Sequence, residues 1–112
     1  MTRFFLCSEQ DIPNQQAREF KVETEQGQLD LFLVRQDDQV HAYKNQCPHL
    51  EIPLNWQPDQ FMSVDGINIQ CSTHGALFTI DKGNCIIGPC AGENLRVLTL
   101  EQRDDDEVWL QL

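Results

Sequence analysis

Basic residues are scarce: eight Lys and Arg stand against eighteen Asp and Glu, a formal charge of -10 over 112 residues. With so little positive charge to neutralise a phosphate backbone or an anionic bilayer, nucleic acid and membrane surfaces are excluded as partners. Long apolar runs are missing too. Phe4 to Cys7 is too short for the apolar part of an export signal, and no later stretch could cross a bilayer, so the expected location is the cytoplasm. Helix periodicity is nearly absent, as are internal repeats and low-complexity linkers, and the length suits one domain spanning 1–112. The five cysteines are an odd number, and in a reducing compartment they point to metal ligation or reduced thiols before a disulfide framework.

What remains is an all-β pattern. Arg3 to Cys7, Arg18 to Glu25, Leu29 to Arg35 and Val40 to Lys44 are short segments rich in β-branched or aromatic residues, separated by turn formers. Phe20, Val22 and Thr24 alternate with Lys21, Glu23 and Glu25, as in a half-buried strand. Phe61 to Val64 and Ile67 to Gln70 flank Asp65-Gly66, which predicts a hairpin with a two-residue turn. Ala76 to Ile80, Leu95 to Glu101 and Val108 to Leu112 complete the predicted strands. The stretch from Asn45 to Ala91 is different in texture, holding four of the five cysteines and four of the five prolines. It reads as a loop-built site inserted in a plainer β-scaffold, whose flanking strands must supply the rigidity.

Cys47-Pro48-His49 and Cys71-Ser72-Thr73-His74 present the same pair of ligand types twice, separated by twenty-one residues that contain the expected hairpin. Two loops can therefore converge on one site. Two thiolates on one iron and two imidazoles on the other is the ligand set that separates a Rieske 2Fe-2S centre from an all-cysteine ferredoxin. A zinc site also uses two Cys and two His, although in fingers the cysteines and histidines come as separate pairs. A structural zinc module thus stays open as the lesser alternative.

Through Cys-Pro-His-Leu at 47–50, Cys-Ser-Thr-His-Gly at 71–75, Phe78 and Gly88-Pro89, the sequence resembles the Rieske ferredoxin family. The resemblance implies an antiparallel β-sandwich or barrel with an inserted cluster-binding subdomain at about 45–91. It implies a 2Fe-2S cluster with Cys47 and Cys71 on the inner iron, His49 and His74 on the outer iron, and Pro89 on a third loop over the cluster. It further implies a soluble, monomeric electron carrier, not an enzyme in itself, which takes single electrons from a flavoprotein reductase and passes them to a terminal oxygenase or similar metalloenzyme. A second reading is the Rieske-like small subunit of an NADH-dependent nitrite reductase.

The chain departs from high-potential relatives. Ile52 and Thr73 stand where those relatives have a pair of disulfide-forming cysteines, and Ala76 and Phe78 replace a Ser and a Tyr that hydrogen-bond cluster sulfurs. Fewer donors imply a potential near the low end of the Rieske range, about -150 mV. Glu51 departs from the glycine of many relatives and reads as an exposed loop carboxylate. Cys85 and Cys90 read as two reduced thiols, Cys7 as a small strand residue, His41 as an ordinary strand histidine, and Trp56 and Trp109 as packing residues. The acidic balance suits solubility, and with a redox role it also suits a basic protein partner.

Overall fold

The computed structural model describes residues 3–37, 39–48, 52–55, 57, 59–72, 75–88, 91–102 and 106–112. Among these residues nine strands follow in order: β1 Arg3–Ser8, β2 Ala17–Thr24, β3 Gly27–Gln36, β4 Gln39–Lys44, β5 Ile69–Gln70, β6 Leu77–Phe78, β7 Cys85–Ile87, β8 Val97–Gln102 and β9 Glu107–Gln111. Among the described residues, helix is limited to one 3-10 turn, Glu9–Asp11. Six strands form an antiparallel sheet in the order β1-β9-β8-β4-β3-β2, and β5-β6-β7 form a second, three-stranded sheet. The all-β expectation holds.

The large sheet curls towards a barrel. Cys7 and Phe4 of β1 and Val22 and Phe20 of β2, the two edge strands, pack into one core with Leu31, Leu33, Ala42, Val108 and Leu110. The half-buried reading of Phe20 to Thr24 fits, since Val22 is buried and its neighbours Lys21 and Glu23 are exposed or nearly so.

β3 is different. Leu31, Phe32, Leu33 and Val34 are all fully buried, although alternate residues of a strand point to opposite faces. Leu31 and Leu33 face the barrel interior, while Phe32 and Val34 belong to a second core with Leu54, Phe61, Ile69, Phe78, Ile80 and Leu95. The second core covers the outer face of β3 and β4. Phe32 stacks on Phe61 with ring centroids 4.3 Å apart and 12° between planes, and lies 5.8 Å from Tyr43. The Tyr43 hydroxyl donates to the Ile80 carbonyl at 2.6 Å, and burial holds it well above the usual tyrosine range. Gly83, at φ +68°, lies so close that an added Cβ would fall 2.7 Å from the Tyr43 ring.

Two expectations need correction. Asp65-Gly66 is not a two-residue hairpin turn, because the bridge joins Met62 to Ile69 and the Gly66 amide donates back to Ser63 O at 2.9 Å. The Asp65 side chain accepts from the Ile67 amide and from the Ser63 hydroxyl, so this carboxylate stabilises a wider loop, with positive φ at Gly66 and not at Asp65. Ala76 to Ile80 is strand only at Leu77–Phe78, and the turn after it leads into β7, a strand that the sequence pattern did not reveal.

Candidate metal centre

Both candidate cysteines are described and both are buried, Cys47 at 1% and Cys71 at 0% exposure, in the core that also holds Ala76, Phe78 and Cys85. They arrive on loops closed in the same way. The Cys47 amide donates to Ile52 O at 2.7 Å and the Cys71 amide to Ala76 O at 2.9 Å, so each loop returns to its cysteine after five residues. In the second loop Gly75 adopts φ +67° and its amide donates to Cys71 O at 2.8 Å, which tightens the turn. The Ser72 amide donates to Leu54 O at 2.7 Å and ties one loop to the other.

Asparagines anchor the first loop to the barrel. The Asn45 amide donates to Asp30 O of β3 at 2.9 Å, its side-chain oxygen accepts from the Leu54 amide at 2.8 Å, and its Nδ2 donates to Asn55 Oδ1 at 2.9 Å. Asn55 in turn donates to Glu19 Oε2 at 3.0 Å, and the Glu19 amide donates to Asp59 Oδ1 at 2.8 Å, which occupies the edge of β2. Sequence reading missed this network. Its signal was the cluster of Asn and Asp around the cysteine loop, residue types whose short side chains substitute for backbone partners.

The third loop follows β7. Gly88 has φ +116°, and a Cβ there would lie 2.8 Å from the Ala76 Cβ, so the start of the third loop, at Gly88, rests directly on Ala76. Cys85 opens β7, buried opposite Phe78, with its thiol donating to Ile87 O at 3.4 Å. No disulfide joins the cysteines among the described residues. His41 lies elsewhere, on β4, lining a cavity of about 240 Å³ with Tyr43 and Asp81. Burial lowers its pKa and the Asp81 charge partly offsets this. Trp109 packs edge-on against Phe5 with centroids 5.4 Å apart, as a packing residue should.

The expected ligands His49 and His74 lie outside the described residues, as do Glu51, Trp56, Thr73, Pro89 and Cys90. No group of three metal-ligating side chains occurs among the described residues. The two thiols nevertheless fit a sulfur-ligated cluster: both are withdrawn from solvent, both sit at the base of closed loops, and the loops are joined to each other.

Comparison with known proteins agrees. The profile of the Rieske [2Fe-2S] domain family matches residues 2–101. Mouse apoptosis-inducing factor 3 is 31% identical over 83 residues, covering 70% of this chain but 12% of that protein, so the chain spans about an eighth of the curated relative's length. Among solved structures, the ferredoxin of carbazole 1,9a-dioxygenase from Nocardioides aromaticivorans superposes with a TM-score of 0.74 at 20% identity, covering 98% of this chain and 97% of that one. A Mycobacterium tuberculosis protein assigned as an NADH-dependent nitrite reductase small subunit gives a TM-score of 0.66 at 19% identity, with coverages of 97% and 93%.

Proposed function

The chain belongs to the Rieske [2Fe-2S] domain family, and from that premise we propose that it is a one-electron carrier whose cluster is held by Cys47, Cys71, His49 and His74. Bound there, a 2Fe-2S cluster supplies reversible one-electron transfer. The supporting observation is the pair of buried cysteines on two equivalent, mutually tied loops. Their burial excludes water from the thiolates, and each candidate histidine follows its cysteine within three residues of sequence, as a shared ligand set requires. The unit at about 45–91 serves as the cluster-binding part of a single domain.

A reductase and an oxygenase or similar metalloenzyme are the partners this reading names, with the cytoplasm as its setting. No helix among the described residues is long and apolar enough to cross a membrane. Similarity in fold to a protein assigned as a nitrite reductase small subunit supports the second reading, a fixed subunit of a larger reductase.

Iron and sulfide analysis with visible absorption tests the ligand assignment. About two irons and two sulfides per chain are expected. Cys47→Ser and Cys71→Ser should each abolish the colour, while Cys85→Ala should retain it. Stoichiometric zinc without sulfide, or colour retained in both serine variants, would refute the assignment.

A further inference from the structure

β7 carries a bulge. Cys85 pairs with Phe78, yet Ile87 pairs with Leu77, so two residues of β7 advance while β6 advances by one, and Ile86 is the extra residue. Without it, simple alternation would turn Ile87 inward with Cys85. With it, Ile86 and Ile87 are 49% and 57% exposed, two large apolar side chains leading directly into Gly88. Directly paired residues share a face, so Gln70, Leu77 and Ile87 form an outer row, and Ile69, Phe78 and Cys85 the buried one.

The outer row continues into a groove of about 420 Å³ lined by Asp59, Gln60, Met62, Val64, Gln70 and Ser72. Gln70 belongs to both the row and the groove. The surface therefore runs from Ser72, next to Cys71, to Ile87, next to the third loop, with the fully exposed Val64 on its rim. Its charge leans acidic: Asp59 lines the groove, the exposed Glu93 lies beside β7, where its carbonyl accepts from the Cys85 amide, and the chain as a whole carries a formal charge of -10. A complementary partner has an apolar contact ringed by Lys and Arg.

We infer that the outer face of the three-stranded sheet, anchored by Ile86 and Ile87, is the docking surface for a basic redox protein, with Asp59 and Glu93 setting its orientation. This inference rests on the electron-carrier reading. In each encounter the reduced protein loses one electron and the partner's centre gains it.

The probe is cytochrome c, a basic protein whose haem edge is ringed by lysines, and whose ferric iron is reduced to ferrous by the single electron. Dithionite-reduced protein is mixed with it in stopped flow at low and high salt. Ile86→Ser/Ile87→Ser should lower the second-order rate constant about tenfold at both salt concentrations. Glu93→Lys should lower it at low salt only, since exposed charges are screened. Phe5→Ser/Val97→Ser, which removes equally exposed apolar groups from the barrel, should leave it unchanged.

The visible spectrum reports on folding. If the serine pair loses it, Ile86→Thr/Ile87→Thr keeps the β-branched shape and carries the same expectation. A spectrally native isoleucine variant that reacts at the wild-type rate, or a slowed Phe5/Val97 control with the isoleucine variant unaffected, overturns the docking surface. A wild-type chain with no 2Fe-2S spectrum, or one that is reduced but leaves cytochrome c ferric, overturns the carrier reading and this inference with it.

Discussion

Two buried side chains beside the cysteine loops bear on the expected reduction potential. Ala76 and Phe78 are both fully buried, one closing the second loop and the other opposite Cys85 on the inner face of β6. Neither carries a hydroxyl, so neither can donate to a cluster sulfur and stabilise the more negative reduced state. A hydrogen bond to a charged acceptor contributes about 1.5 kcal/mol, and for one electron that corresponds to roughly 60 mV. Ala76→Ser and Phe78→Tyr should each raise the midpoint by about that amount from a low starting value. Protein-film voltammetry measures it, and a native midpoint well above zero, or no rise in either variant, contradicts the argument.

Cys7 shows the opposite use of a thiol. Burial, and then the nearby Asp11 charge, push its pKa from the ordinary 9.0 up to about 11. A raised folded-state pKa means that the native protein holds the proton more tightly than the unfolded chain does. Its contribution to stability is complete below pH 9.0 and is lost as pH rises through about 11. Urea midpoints measured from pH 8 to 11 should therefore fall, and Cys7→Ala should flatten that fall. In the native protein at pH 8, iodoacetamide should leave Cys7 unmodified by mass spectrometry; rapid labelling would show that its strand opens readily.

At the scale of elements, most barrel strands were legible because their residues alternate in a way that matches one buried and one solvated face, as Phe20 to Thr24 does. The paired Cys-His motifs stood out in the sequence because two cysteines and two histidines at those spacings are rare. What could not be read was structure set by contacts distant in sequence. β7 is three residues long, runs straight into a glycine and carries a bulge, so it offers no period to detect. The Asp65-Gly66 turn was misjudged because the Asp65 side chain captures local backbone amides, which a count of turn formers cannot see.

Gly88, which opens the third loop, fits against Ala76 only because it lacks a side chain. Gly88→Ala would force a Cβ to within 2.8 Å of the Ala76 Cβ at a φ of +116° that alanine avoids. The loop must lift from the second loop or strain against it, at a cost of about 1–3 kcal/mol. The expected result is a folded barrel by circular dichroism but faster bleaching of the visible bands in air. An unchanged bleaching rate would mean that Gly88 does not help to shield the site.

For the molecule as a whole, the decisive feature is that β3 is shared. Its Leu31 and Leu33 complete the barrel core, and its Phe32 and Val34 complete the core beneath the cysteine loops, so neither core can be lost without exposing one face of the same strand. Tyr43 of β4 reinforces this by bonding across to Ile80. The two sheets should therefore unfold together, as one cooperative unit. In the wild type, loss of visible absorbance and loss of far-ultraviolet circular dichroism should coincide on heating. Leu33→Ala, on the barrel face, should cost about 2–5 kcal/mol, and Phe61→Ala, which removes the ring stacked on Phe32, about 3–5 kcal/mol. Either substitution should move both transitions down together, although it touches only one of the cores. If Phe61→Ala bleached the protein at a lower temperature while the circular dichroism transition stayed in place, the cysteine-bearing unit would be an independently melting attachment, and the shared strand would not couple the two.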